Sequence, residues 1–120
     1  MKTKHFVKLI VGALYSDLNW LDLAKQQMKD QEWIVQNQSK EFPFENTEYY
    51  AQEMGSELKR CFLCIKGLQS LESNVDWKFI TLGIEKKLSN NGKRMVNLDP
   101  GYIDFTKVVL LSVKEGPQKI

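Results

Sequence analysis

The feature that most constrains the fold is an apolar run near the N-terminus, FVKLIVGAL at residues 6–14. The run contains β-branched residues and a single charged residue, Lys8. Such a run predicts a strand at the centre of a sheet. The basic residues before it give the N-terminus some likeness to a secretion signal. Because Lys8 interrupts the apolar stretch and no small-residue cleavage pattern follows, we expect a cytoplasmic protein.

The rest of the chain alternates between strand-like and helix-like segments. The predicted order is strand (6–14), helix (15–33), strand (33–44), strand (58–66), helix (74–92) and strand (93–98). This is the order of a ferredoxin-like split βαβ sandwich (βαββαβ) of the α+β class. Residues 105–113 fit a further helix or a strand, and Asp104 before them and Gly116-Pro117 after them favour the helix. We expect residues 1–120 to form a single domain.

Each predicted helix carries an apolar stripe. In the first helix, Ser16 or Asp17 is the expected N-cap, and the stripe consists of Leu21, Ala24 and Met28. In the second helix, the stripe consists of Trp77, Ile80, Ile84 and Leu88. Helical spacing predicts that these residues face the sheet, while Lys78, Glu85 and Lys86 face water.

Composition and motifs exclude several function classes. The net charge of +2 is too small for a typical nucleic-acid-binding face. No apolar run is long enough to cross a membrane. The sequence lacks a phosphate-binding loop, a dinucleotide fingerprint and a nucleophile elbow, and its one histidine, His5, makes a Ser-His-Asp triad improbable. We therefore expect no cofactor, no nucleic acid and no membrane partner.

The two cysteines, Cys61 and Cys64, lie in the segment RCFLCIK. A Cys-x-x-Cys spacing suits metal or redox chemistry only when the two thiols converge. This segment alternates like a strand, and residues three apart on a strand point to opposite faces. We therefore predict that these cysteines bind no metal and form no disulfide.

The segment NLDPGY at 97–102 allows two interpretations. Asp-Pro-Gly suits a type II turn, in which Gly101 has a positive φ and Asp99 accepts hydrogen bonds within the turn. In that case Asp104 caps the segment that follows. Alternatively, Asp99 is a general acid or base or a cation ligand, with Asn97 on the same strand face.

Four stretches together resemble a bacterial and archaeal family of unknown function, the DUF4416 family. They are KLIVGALYSD, FPFENTEYYAQEMGSELKRCFL, GKRMVNLDPGY and TKVVLLSVK. The resemblance implies no activity. It implies that family members continue past Ile120, so the chain is expected to be either truncated or a short member. Asn46 stands where an aromatic residue is common in the family.

The residues that match the family pattern fall into two groups. The first group lies near the 45–57 connection, and Asp17 at the end of the first strand is added to it. We expect these residues to bind a ligand: Arg60, Lys59, Tyr49, Glu53 and Asp17. The second candidate cluster is Asn97, Asp99, Tyr102 and Lys107. In the ferredoxin-like arrangement the two groups lie at opposite ends of the sheet, about 15 Å or more apart.

Two functional hypotheses remain open, and whether the protein is an enzyme is not decided by the sequence. In the first, the domain binds a small anionic ligand at the 45–57 end of the sheet. In the second, it is a non-catalytic homo-oligomeric assembly module. Arg60 distinguishes them, because a guanidinium forks either to an anionic ligand or to an internal carboxylate such as Glu53.

Overall fold

The computed structural model describes residues 5–44, 50, 53–55, 57–104 and 108–110. The protein is α+β, with a mostly antiparallel sheet and two helices. Its strands are β1 (Phe6–Tyr15), β2 (Val35–Gln38), β3 (Phe42–Phe44), β4 (Leu58–Ile65), β5 (Gln69–Ser70), β6 (Val96–Ile103) and β7 (Val108–Leu110). The helices are α1 (Leu18–Asp30) and α2 (Asn74–Lys87), and a 3₁₀ turn at Leu71–Ser73 precedes α2.

Strand β1 lies at the centre of the sheet, as its sequence predicts. The strand order is β2-β4-β1-β6-β7, while β3 also pairs with β4 and β5 with β1. All of these pairings are antiparallel. The predicted strand at 33–44 is two strands, because the chain leaves the ladder between Gln38 and Phe42.

The main core lies between the helices and one face of the sheet. Alternate β1 residues, among them Leu9, Val11 and Ala13, are fully buried there against both helices. The predicted stripe of α1 is buried, and that of α2 is confirmed, with Trp77, Ile84 and Leu88 buried and Ile80 packed against them. Lys86 is exposed as predicted.

The other face of the sheet is called the outer face here. The β1 register assigns to it Lys8, Ile10, Gly12 and Leu14 from β1, Arg60, Phe62 and Cys64 from β4, and Asn97, Asp99, Gly101 and Ile103 from β6. At one end, Leu14 is covered by a second apolar cluster with Tyr50, Met54 and Leu58. Ile10, Gly12, Asp99 and Gly101 are buried as well. Phe62 and Cys64 are half-buried, and Ile103 is 39% exposed.

The prediction that Lys78 and Glu85 face water is wrong. Glu85 is buried, and Lys78 is mostly buried beside Asp99. Helix α2 packs along β6, and its buried face extends beyond the apolar stripe to Thr81 and Glu85. Helical periodicity identified the apolar stripe of α2 but not the polar residues beside it. Glu85 is buried and Lys78 is mostly buried because β6 supplies polar partners for both.

The expected turn at NLDPGY is also wrong. All six residues lie within β6, and Gly101 is not among the residues with positive φ. Leu98 directs its backbone N–H away from β1, to a side chain of α2. Pro100, two residues on, faces the same way, so its missing N–H removes no bond from the β1–β6 ladder.

The segment 105–113 contains a strand where a helix was favoured. The backbone of Val108–Leu110 pairs with Gly101–Ile103, which makes β7. Residues 105–107 and 111–113 lie outside the described residues. A short apolar run of this kind fits the periodicity of a helix and that of a strand equally well. Its conformation is therefore decided by its pairing with β6.

The two cysteines lie on opposite faces of the sheet, as strand alternation predicts. Cys61 is fully buried in the main core, while Cys64 lies on the outer face. Both are free thiols. Burial raises the pKa of the Cys61 thiol, which keeps it protonated and unreactive.

Candidate functional site

Arg94 is the centre of a polar network at the β6 side of the sheet. Its Nε and Nη2 donate to the two carboxylate oxygens of Glu53, each at 2.9 Å, and its backbone N–H donates to Glu53 Oε2 at 2.8 Å. Its Nη1 donates to Asn97 Oδ1 at 2.7 Å and lies 3.5 Å from Glu85 Oε1. This bidentate pairing raises the pKa of Arg94 and lowers that of Glu53.

Glu85 connects α2 to the backbone of β6. Its Oε2 accepts a hydrogen bond from the Leu98 N–H at 2.6 Å. In the described part of β7, Val108–Leu110 pairs with Gly101–Ile103, and the Leu98 N–H lies beyond these pairs along β6. Burial raises the pKa of Glu85, while the Leu98 N–H and the Arg94 charge act in the opposite direction.

Asn97 and Asp99 extend the network along β6. The Asn97 side chain donates from Nδ2 to Asp99 Oδ2 at 3.2 Å, which confirms that the two residues share a strand face. Asp99 Oδ1 lies 3.6 Å from the Lys78 ammonium. Two cations therefore face three carboxylates, those of Glu53, Glu85 and Asp99. Each of these carboxylates has a partner. The network is therefore structural, and it connects the 53–54 segment, α2 and β6.

Arg60 is placed very differently from Arg94, the only other arginine in the chain. Its guanidinium carbon lies 5.3 Å from the ring centre of Phe44 and 5.9 Å from that of Phe62. Its Nε is buried without a hydrogen-bond partner, and Arg60 makes no ion pair with any described carboxylate. The alternative in which Arg60 forks to Glu53 is wrong, because Arg94 takes both oxygens of that carboxylate.

Gly12 provides the space beside Arg60. A Cβ at this position would lie 3.3 Å from Phe62 Cε1 and 3.6 Å from Arg60 Nη1. A Cβ here would therefore be tight against the Phe62 ring and in ordinary contact with the guanidinium. The absence of a side chain at Gly12 lets both groups lie close over the middle of the sheet.

The two predicted clusters are closer than expected. Arg60 pairs with Leu14, and Leu14 pairs with Asn97, so Arg60 and Asn97 are two strand spacings apart, about 10 Å. Glu53 and Asn97, one from each cluster, bind the same guanidinium. The expected separation of a strand length is wrong, because NLDPGY lies inside a strand and not beyond its end.

The other predicted site residues lie away from Arg60 or outside the described part. Lys59 is exposed, and strand alternation directs it to the opposite side of β4 from Arg60. Asp17 is the N-cap of α1, where its side chain accepts from the Asn19 N–H at 2.9 Å. Tyr102 packs in the core, its ring centre 6.4 Å from that of Trp77. Tyr49 and Lys107 lie outside the described residues.

Sequence reasoning missed Arg94, Glu85 and Lys78. A signal for Glu85 existed, because it lies eight residues after Trp77 and four after Thr81, on the margin of the buried stripe of α2. No comparable signal marked Arg94, whose partners are distant in the chain.

A shallow groove of about 470 Å³ lies on the outer face. Its lining residues include Ile10, Asn37, Phe62, Cys64 and Ile103. The Phe62 ring therefore lines the groove and also lies close to the Arg60 guanidinium. Among the described residues, no group of three or more His, Cys, Asp or Glu is placed to hold a metal ion.

Two comparisons with known proteins bear on the chain. A family model described as "Domain of unknown function (DUF4416)" matches residues 5–120, which is nearly the whole chain. No curated protein is significantly similar to it. Neither helix in the described part is long and apolar enough to span a membrane.

Proposed function

The chain belongs to the DUF4416 family, and we propose that it binds a small anionic ligand at Arg60, on the outer face of the sheet. The observation that carries this proposal is the contrast between the two arginines. Arg94 is saturated by Glu53, Asn97 and Glu85, whereas Arg60 has no carboxylate partner among the described residues. A guanidinium is always charged and presents a planar fork that suits carboxylates and phosphates.

The surroundings of Arg60 support a ligand-binding role. Phe44 and Phe62 restrict the orientation of its guanidinium. A side chain that is held in place before binding loses less conformational entropy when the ligand arrives. The aromatic rings also lower the local polarity, which strengthens a charge-assisted hydrogen bond.

We further propose that the sheet and two helices are a variant of the ferredoxin-like arrangement. Two features support a ferredoxin-like arrangement. The strand order is β2-β4-β1-β6 with antiparallel neighbours, and one helix follows β1 while the other precedes β6. Strands β3, β5 and β7 would then be additions. A cytoplasmic location is supported by the two free thiols, since free cysteines are typical of reducing compartments.

A thermal-shift titration with inorganic phosphate, pyrophosphate, sulfate and acetate tests the anion site. Binding to the native state alone should raise stability, by about 2.7 kcal/mol at a ligand concentration one hundred times the Kd. Arg60→Gln should abolish the shift. The matched control is Lys59→Gln, which removes the same charge one residue away on the other side of β4 and should leave the shift intact.

Two results would contradict the anion site. One is the lack of any shift with all four anions. The other is an equal shift in the wild type and Arg60→Gln, which would mean that the anion binds elsewhere.

The second candidate function is homo-oligomeric assembly through the outer face. It is favoured by exposed apolar side chains there, with Phe42 and Ile103 each 39% exposed. Sedimentation velocity over a range of protein concentrations tests it, and Ile103→Lys should convert an oligomer to a monomer. A wild-type protein that stays monomeric at every concentration would rule this function out.

A further inference from the structure

We propose, on the basis of the anion site at Arg60, that the ligand is amphipathic: an anionic headgroup joined to an apolar body that crosses Phe62 and enters the outer-face groove. The proposal deepens the proposed function by naming the ligand class, a medium-chain carboxylate or an alkyl phosphate.

The position of Phe62 links the charge to the groove. Its ring lies 5.9 Å from the Arg60 guanidinium carbon and also lines the groove. Arg60, Phe62 and Cys64 alternate along β4 on the same face, so successive members are about 7 Å apart. A ligand held by Arg60 can therefore reach the groove only if it carries a body that spans the Phe62 ring.

The groove has the character of an apolar binding site. Ile10, Phe62, Cys64 and Ile103 contribute apolar surface, and its volume of about 470 Å³ is within the usual range for small-molecule pockets. Ile103 remains 39% exposed, although Tyr102, which precedes it in β6 and faces the other way, is buried in the core. Burial of this exposed apolar surface by an alkyl chain would favour binding.

The cations of the outer face indicate the sign of the headgroup. Arg60 has no ion-pair partner in the described part of the chain, whereas Asp99 on the same face is held by Lys78. Lys8, opposite Ile103 in the register, is a second cation on this face without a described ion pair, and its ammonium donates to Gln36 Oε1 at 2.8 Å. An uncharged apolar molecule would fill the groove without using the guanidinium. An inorganic anion would use the guanidinium without filling the groove.

A chain-length series tests the proposal on the full chain. Acetate, butanoate, hexanoate, octanoate and the corresponding alkyl phosphates are titrated by calorimetry below their micelle concentrations, with octanol as the uncharged control. Once the chain reaches past Phe62, affinity should rise by up to about fourfold per added methylene. Octanol should bind at least tenfold more weakly than octanoate, and Arg60→Gln should remove that difference.

Cys64 provides a direct probe of the groove. Octanoate should slow alkylation of Cys64 by iodoacetamide several-fold, and acetate should not. Cys61 is the internal control, because it is fully buried and should stay unlabelled throughout. Ile103→Asn should flatten the chain-length dependence of the affinity.

The outcomes separate the two proposals. Equal affinities for acetate and octanoate, with no protection of Cys64, would overturn the amphipathic ligand and leave the anion site at Arg60. Equal affinities for octanoate and octanol would also overturn it, because the headgroup would then have no role. No binding of any anion would overturn both.

Discussion

The carboxylate of Glu85 accepts a hydrogen bond from the backbone N–H of Leu98 at 2.6 Å, beyond the described pairs of β6 with β7. A helix side chain thereby satisfies a strand donor that points away from β1. The same carboxylate lies 3.5 Å from the Arg94 guanidinium, so the contact also places α2 against the polar network.

Replacing Glu85 should therefore be costly. We expect Glu85→Ala to lower the free energy of unfolding by about 2–4 kcal/mol, because it leaves the buried Leu98 N–H without an acceptor. The control is Lys86→Ala, because Lys86 is the next residue and is exposed. This variant should change the free energy of unfolding by less than about 0.5 kcal/mol. Urea denaturation measures both, and similar small losses in the two variants would show that the Glu85 contact is dispensable.

The stability of the protein should decrease as the pH falls below the ordinary pKa of a glutamate. Arg94 lowers the pKa of Glu53 in the folded state, so the unfolded chain binds the proton more readily. The contribution of Glu53 is thus complete above its unfolded pKa and is lost as the pH falls through its folded value. Glu53→Gln should make the stability–pH curve flatter in this window, as measured by urea midpoints at several pH values. An unchanged slope would contradict the role assigned to the Glu53–Arg94 pair.

The two arginines should differ in their effect on stability. Arg94→Gln is expected to cost about 2–4 kcal/mol, since it leaves Glu53 and Glu85 without their cation. Arg60→Gln should cost about 1 kcal/mol or less, because it removes ring contacts but no described ion pair. Chemical denaturation of both variants checks this, and a larger loss for Arg60→Gln would indicate that Arg60 is the structural arginine.

Asp99 is expected to be structural. Asp99→Asn keeps an oxygen near Asn97 but removes the charge facing Lys78, which should lower stability by about 1–3 kcal/mol. The anion-induced thermal shift should be unchanged. A variant with wild-type stability that has lost its response to anions would instead make Asp99 a binding residue.

The α2 stripe should carry much of the core stability. Ile84→Ala is expected to cost about 2–5 kcal/mol, because Ile84 is only 3% exposed. Phe79→Ala removes a larger side chain that is 68% exposed on the same helix and should cost less than about 0.5 kcal/mol. Thermal or urea unfolding compares them, and a loss below about 0.5 kcal/mol for Ile84→Ala would show that the stripe is not buried.

Some of the fold could be predicted from the sequence because it depends on local pattern. The apolar run at 6–14 marked the central strand, and helical spacing marked the buried stripes of α1 and α2. Alternation along RCFLCIK was enough to place Cys61 and Cys64 on opposite faces. In each case the period of the apolar residues sets which face is buried, whatever the neighbouring element is.

The candidate site depended on tertiary structure, because its contacts join residues far apart in the chain. Glu53 and Arg94 are 41 residues apart, and no local pattern indicates that Arg94 and not Arg60 would reach that carboxylate. The extended conformation of Asp-Pro-Gly was decided by its pairing with β1, which holds Asp99 opposite Gly12 and overrides the local preference for a turn. Glu85 is buried only because β6 offers it the Leu98 N–H. Arg60 has no carboxylate partner among the described residues because tertiary packing brings Glu53 to the other arginine.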